Sequence, residues 1–299
     1  MRRGDQGKVA IIFGISGQDG YYLSKLLEKE NVEIIGISRN NVNYLRGNVS
    51  DCSFVKEIIL SFKPDYIFHF AAVSSTSHDY LFENHAVIAR GTLNILENVR
   101  LYSRHAKVFI SGSAMQFFNE GHPINESTKF DPSSAYSCSR IDSVYASRYF
   151  RSKFNIQVYI GYFFNHDSPL RSVNHINQQI VHSAYKIKNR ESDKLTIGNP
   201  FVLKEFNFAG DIVEAVWCLV QQDNVFEAVI GSGVVYSIYD WAKYIFSSLD
   251  LDLDKYLVID NNFKSDYNIM QSDPRLIQSL GWKPKVDFYE LADLMRSVK

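Results

Sequence analysis

The sequence predicts a doubly wound parallel α/β sheet with a smaller C-terminal substrate lobe, and three observations carry that prediction. Short apolar runs alternate with longer helical patterns, the first apolar run ends in a glycine-rich turn, and turn or cap signals punctuate the later elements. Strands are expected near residues 8–13, 33–38, 66–70, 107–111 and 156–163, with helices near 19–30, 53–62, 82–103 and 134–153. Pro64 and Asp65 precede the third strand, and Asp131, Pro132 and Ser133 precede the helix holding Tyr136. After residue 164 the alternation loosens into stretches rich in Asn, Ser and Gln, read as a lobe covering a substrate. A helix over about 209–222 and a strand near 226–230 return to the sheet, and the tail adds helices around Tyr239–Leu249, Pro274–Leu280 and Tyr289–Val298. The division that follows is residues 1–163 plus about 209–235 for the sheet domain, and about 164–208 plus 236–299 for the lobe.

The first strand runs straight into Gly14, Ile15, Ser16, Gly17, Gln18, Asp19 and Gly20, followed by a helical pattern from Tyr21 to Glu30. This order describes a phosphate cradle. Gly14 allows the sharp turn, Gly17 lets backbone approach a pyrophosphate, and Gly20 lets the next helix pack closely on the sheet. The helix amino end then faces the anion. Three glycines alone also suit a surface loop, and the flanking strand and amphipathic helix decide for a Rossmann-type dinucleotide site.

The formal net charge of −1 and the lack of a long basic run exclude the electrostatic footprint of a nucleic-acid binder. Cys52, Cys138 and Cys218 lie far apart, which argues against a disulfide framework or metal cluster and fits buried thiols in a reducing cytoplasm. The apolar stretch after Arg2 and Arg3 is too short for a signal-peptide core, and no run approaches the ~20 residues of a membrane span. No metal site and no membrane partner are expected.

The second strand decides the cofactor. In dinucleotide folds its end usually carries an acidic residue for the adenosine ribose, whereas here Ser38 and Arg39 stand with Asn40 and Asn41 behind them. A hydroxyl and a guanidinium offer donors to a 2′-phosphate, which favours NADP(H) over NAD(H).

Together with Gly47 to Asp51, Pro64 to Ala72, Gly91-Thr92, Phe164 to Pro169, Asp211 to Trp217 and Gly281 to Pro284, these motifs resemble the extended short-chain dehydrogenase/reductase superfamily. The Gly-Gln-Asp-Gly and Phe-Asn-His-Asp-Ser-Pro pieces narrow the resemblance to its GDP-mannose 4,6-dehydratase branch. The resemblance implies that Asp51 contacts adenine and that Ala71, Ala72 and Phe163 line the cofactor groove. It places the chemistry on Ser113, on the loop after the fourth strand, and on Tyr136 with Arg140 one helical turn later. Spacing alone would read Tyr136 and Arg140 as an inconsequential surface pair. With the resemblance, the cation favours the phenolate, so Tyr136 can exchange a proton with a sugar hydroxyl or carbonyl while Ser113 orients that oxygen.

Two residues depart from the pattern. Arg140 replaces the family's lysine, keeping the charge but unable to release a proton. Met115 stands where a dehydratase carries glutamate, leaving nothing obvious to remove the proton from carbon 5; Glu120 and Glu126 lie further along, in a polar loop. Asn165, Lys204 and Arg171 are the candidate contacts to a sugar-nucleotide diphosphate, while His166 and Asp167 either bond each other in a turn or touch ligand. Gln178 and Gln179 fall where the dehydratases carry a basic pair, Phe263 or a neighbour where they carry arginine, and Lys204-Glu205 where they carry Arg-Asp.

These residues lead to an expected NADPH-dependent reductase of a 4-keto-6-deoxy nucleotide sugar, GDP-linked and derived from a hexose or heptose, that serves rare-sugar and surface-polysaccharide synthesis. The alternatives are a 4,6-dehydratase or epimerase with another base, and a catalytically silent dinucleotide-binding partner subunit. A homodimer through the helices near 82–103 and 134–153 is expected from the superfamily.

Overall fold

The computed structural model describes residues 7–73 and 75–297. Its central sheet is built from β1 (Val9–Phe13), β2 (Glu33–Ser38), β3 (Leu45–Arg46), β4 (Tyr66–His69), β5 (Lys107–Ser113) and β6 (Val158–Phe163), joined later by β11 (Glu227–Ile230). The order is β11-β6-β5-β4-β1-β2-β3, every pair parallel. The chain winds outward one way through β2 and β3 and the other way through β4, β5 and β6. The reversal of direction lies between β1 and β4, where ligands of such sheets bind beyond the carboxyl ends.

Alternation along each strand loads both faces. Ala10 and Ile12 of β1 face a layer made by α1 (Gln18–Lys29) and α7 (Ala209–Val220), with Leu23, Leu27, Ile212, Val216 and Leu219 buried between. Ile11 and Phe13 pack the other way, against Val55 and Ile59 of α2 (Cys52–Phe62), Ile95 and Val99 of α4 (Gly91–Tyr102) and Phe150 of α5 (Ala135–Phe154). Covering on both faces explains why these strands read as nearly unbroken apolar runs.

The helix expected over 82–103 is divided. α3 (Leu81–Asn84) leads into a π-helical segment over His85–Arg90 before α4 begins. Helix α5 is fixed by a cluster at its far end, where Glu227 accepts from Arg148 Nη2 (2.6 Å), Arg151 Nη2 (2.6 Å) and Tyr162 Oη (2.7 Å). Burial pushes the Glu227 carboxyl up, but these donors outweigh it and hold the group at about 2. The network ties the helix bearing Tyr136 to β6 and β11.

The region beyond residue 164 holds more regular structure than its polar composition suggests. It contributes β7 (His166–Asp167), α6 (Ile176–Lys188), β8 (Leu195–Ile197), β9 (Leu203–Glu205), β10 (Asn207–Phe208), β12 (Val235–Ser237), α8 (Ile238–Ser247), β13 (Leu257–Ile259), β14 (Ile269–Met270), α9 (Arg275–Ser279) and α10 (Phe288–Ser297). Helix α6 was missed because Ile180, Val181, Ala184 and Ile187 form its buried stripe amid exposed polar residues. That stripe meets Trp241, Ile245 and Phe246 of α8 and Leu291 and Met295 of α10 in a separate apolar cluster, with Phe206 stacked 5.0 Å from Trp241. Among the described residues no helix is long and apolar enough to cross a membrane, and no cluster could hold a metal ion. Cys52 and Cys138 are exposed rather than buried, each on an outward helix face, and Cys218 is half-buried.

Candidate active site

Two adjoining cavities open at the carboxyl ends of β1 and β4. The first, about 270 Å³, is lined by Gly14, Ser16, Gly17, Ser38, Arg39, Ala71 and Ala72, with Phe70 and Asn48 beside them. Gly14 takes φ +94°, and a Cβ there would lie 2.7 Å from the Ala71 nitrogen, so the turn demands glycine both conformationally and spatially. Gly20 is required by packing alone: its Cβ would fall 2.4 Å from the Gly14 carbonyl oxygen. Gly17 is exposed at the cavity, and its Cβ would make only ordinary contact, 3.4 Å from the same oxygen. As N-cap of α1 it supplies no side-chain bond, which leaves the first-turn amides open to an anion.

At the other end of this cavity Ser38 Oγ lies 3.1 Å from Ser16 Oγ and accepts from the Asn41 amide at 3.1 Å. Arg39 lines the cavity too, and its Nη1 donates to Glu83 Oε1 of α3 at 2.8 Å. The strand end carries no acidic residue of its own, but a carboxylate reaches this arginine from 44 positions downstream. Asp51 has a structural role of its own. Its exposed carboxylate caps α2, with Oδ1 accepting from the Ser53 and Phe54 amides at 2.9 and 3.2 Å, and the nearby Asn48 and Val49 line the cavity.

The second cavity, also about 270 Å³, brings together Gly17, Gln18, Asp19, Ala72, Ser113, Met115, Tyr136, Arg140, Phe163, Asn165, His166 and Arg171. Ser113 ends β5 rather than sitting in the following loop, because the strand runs two residues beyond the expected stop. Its Oγ accepts from the Met115 amide at 3.2 Å, leaving its own proton free to donate, while its amide is held by Gln116 Oε1 at 2.9 Å. Tyr136 lies in the first turn of α5, half-buried, and the Arg140 guanidinium stacks over its ring 5.1 Å from the centroid. Arg140 is buried and anchored to β5, donating from Nη1 to the Ser111 carbonyl and to Ser111 Oγ (2.8 Å). The i, i+4 spacing thus yields a ring-face contact inside a cavity, not a surface pair.

Gln18 and Asp19 reach across to the segment after β6. Gln18 donates to the His166 carbonyl (3.2 Å) and accepts from Ser168 Oγ (3.0 Å), while Asp19 Oδ1 lies 2.9 Å from His166 Nε2. His166 Nδ1 faces the Phe164 carbonyl at 2.8 Å, so both ring nitrogens meet acceptors and the imidazolium is the form that satisfies them. Burial pulls the His166 pKa down, but the Asp19 carboxylate outweighs it and the net direction is up; Asp19 is held below its usual range in return. A folded pKa above 6.5 means stability that is whole below pH 6.5 and lost as pH rises through the folded value. The melting temperature is accordingly expected to decline through that window, and Asp19→Asn to flatten the decline; an unchanged profile in the variant would refute the assignment.

His166 and Asp167 do not bond each other. Asp167 pairs instead with Arg171 (3.0 Å) and Asn177 (2.6 Å), so the Arg171 charge is already partly neutralised. Lys204 lies outside this cavity, in a neighbouring one of about 360 Å³ that also includes Asn174, Gln179, Phe263 and Tyr267. It is buried over the Phe206 ring (5.0 Å), and desolvation pushes its pKa down to about 8. Glu205 is committed to structure, accepting from the Ser232 and Ser272 amides. Glu126 is likewise committed, to the Val229 amide at 2.7 Å, and Glu120 lines a separate surface cavity with Asn119 and Asp266. Sequence reasoning missed Phe70, Asn48 and Met270. The Gly-Asn-Val step at 47–49 and the aromatic just before Ala71 were the signals for the first two, while Met270 had none.

Residues 11–295 match the family model described as GDP-mannose 4,6 dehydratase. The chain is 28% identical to GDP-mannose 4,6 dehydratase 1 of Arabidopsis thaliana over 319 residues, covering 96% of this chain and 88% of that protein. Identity to the Homo sapiens GDP-mannose 4,6 dehydratase is 27% over 338 residues, covering 96% and 91%. In fold it is similar to RMD from Pseudomonas aeruginosa complexed with NADPH, with TM-score 0.86, 16% identity and coverage of 97% and 98%. It is also similar to the UDP-glucose 4-epimerase of Thermus thermophilus in complex with NAD, with TM-score 0.84, 17% identity and coverage of 97% and 100%.

Proposed function

This chain belongs to the GDP-mannose 4,6-dehydratase family of extended short-chain dehydrogenases/reductases, and on that premise we propose that it is an NADP(H)-dependent enzyme of nucleotide-sugar metabolism that works at carbon 4 of a GDP-linked sugar. The convergence of Ser113, Tyr136 and Arg140 on one cavity, beside the glycine cradle, is the observation that supports this reading most.

The first cavity fits the cofactor. Gly14 and Gly20 hold the turn, open amides of α1 suit the pyrophosphate, and Ser38 and Arg39 would meet a 2′-phosphate. Bound there, NADP(H) supplies or accepts the hydride. Tyr136 gives its phenolic proton to the carbon-4 oxygen in reduction and takes it in oxidation. Ser113 donates a hydrogen bond to that oxygen with the proton its own acceptor role leaves free. Arg140 keeps positive charge against the phenol but relays no proton, since guanidinium does not deprotonate and Ser111 holds it. Asn165 and Lys204 would receive the sugar nucleotide, and a homodimer through α4 and α5 accounts for their exposed Leu93, Leu101, Tyr145 and Tyr149.

The curated relatives support 4,6-dehydration as the overall reaction. One observation favours a second reading, reduction of a 4-keto-6-deoxy sugar. Met115, where the dehydratases resembled carry the carbon-5 base, lines the catalytic cavity together with Met270, and the one carboxylate lining it among the described residues, Asp19, is committed to His166. Purified protein given GDP-mannose and NADP+ should release a product lighter by one water if it dehydrates. Given a GDP-4-keto-6-deoxy sugar and NADPH, it should instead oxidise the cofactor if it reduces. Turnover in neither assay with tight cofactor binding would return the silent-subunit reading and overturn this one.

A further inference from the structure

We infer that Glu83 sets the preference between NADP(H) and NAD(H) by competing with the 2′-phosphate for Arg39. The inference rests on the dinucleotide reading of the first cavity and adds to it a residue that no motif identifies. Arg39 lines the cavity, whereas Glu83 does not and reaches the arginine from α3, outside it. The pair measures 2.8 Å between Nη1 and Oε1, with both side chains close to half exposed, at 47% and 43%.

Glu83 is held in place by its neighbour. Asn84, the last residue of α3, is fully buried, and its Nδ2 donates to the Ser75 carbonyl at 3.1 Å, which ties the end of α3 to the preceding segment. The carboxylate is therefore presented to Arg39 by a pinned backbone. Ser38 Oγ accepts from the Asn41 amide and contacts Ser16 Oγ at 3.1 Å, so it offers a phosphate one neutral proton at most. Arg39 is the one basic side chain lining this cavity among the described residues, and the N–H taken by Glu83 is one the phosphate must win back.

The two cofactors meet this pair differently. A 2′-phosphate is a strong multi-acceptor anion that gains from the guanidinium and is repelled by the carboxylate. A 2′-hydroxyl carries no charge, asks nothing of the guanidinium and leaves the ion pair intact. Exposed pairs of this kind are weak and salt-screened, so Glu83 lowers NADP(H) affinity without abolishing it, and the cavity keeps measurable affinity for NAD(H).

The test is direct binding of NADPH and NADH to the full chain, followed by nucleotide fluorescence without substrate, for the parent protein, Glu83→Gln and Arg39→Ala. Glu83→Gln is expected to tighten NADPH about two- to fivefold at low salt and to leave NADH unchanged or weaker, with the gain shrinking as salt rises. Arg39→Ala is expected to loosen NADPH by about tenfold or more while sparing NADH. If Glu83→Gln leaves the ratio of the two affinities unchanged, or weakens NADPH because the carboxylate serves to preorganise Arg39, the inference is overturned while the dinucleotide reading stands. If the parent protein binds neither nucleotide, that reading falls as well.

Discussion

Tyr136→Phe is expected to cut turnover by about 10²–10⁴-fold, the usual contribution of a positioned proton donor, while leaving NADPH affinity and melting temperature close to the parent values. The substitution is mild structurally because the Arg140 guanidinium stacks on the ring face, which phenylalanine retains, and Ser111 anchors the cation independently. Only the hydroxyl is lost. Steady-state rates on the substrate that proves active, with a separate nucleotide titration, read the two quantities apart. Turnover within about tenfold of the parent would remove Tyr136 from proton transfer, since a general acid contributes at least ~10²-fold. A parallel fall in nucleotide affinity would point to a structural role instead.

The second large effect is expected from the glycine turn. Gly20→Ala places a methyl carbon 2.4 Å from the Gly14 oxygen and 2.6 Å from the Ile15 Cα, all backbone, so no side chain can rotate away. Relief requires moving α1 off the sheet, at a cost of about 3 kcal/mol, or roughly 5 °C in melting temperature for a chain of this length. Gly17→Ala is the contrast. Its methyl group finds ordinary protein contact and projects where the cofactor would approach, so nucleotide affinity should fall with the melting temperature nearly intact. Thermal scans with nucleotide titrations separate the pair. Equal destabilisation of both variants would show that the turn, not the ligand, explains Gly17.

The parallel sheet was legible because β1, β4, β5 and β6 are buried on both faces, and burial on both faces writes an apolar run that no amphipathic helix imitates. Helix α6 was obscured for the converse reason, a narrow buried stripe diluted by Asn, Gln and His. At the site, the residues that local spacing links were readable: Gly14, Gly17 and Gly20 as one turn, Tyr136 and Arg140 as one helix face. What remained hidden depends on chain crossings. Glu83 meets Arg39 across 44 positions and His166 meets Asp19 across 147, and neither pairing leaves a periodic trace. The N-cap role of Asp51 was readable too, since a carboxylate just before a helical pattern serves as a cap whatever else it touches.

The reach of Gln18 and Asp19 to His166 and Ser168 has a consequence for biosynthesis. These contacts span 147 to 150 residues, so at ~5–20 residues per second a ribosome needs roughly 7–30 s after making Asp19 to deliver its counter-ion. Until then, the nascent first half carries a bare carboxylate beside the glycine turn. The charge balance of the glycine turn is completed by the later half of the polypeptide, and a translation pause before residue 166 would leave it electrostatically unfinished.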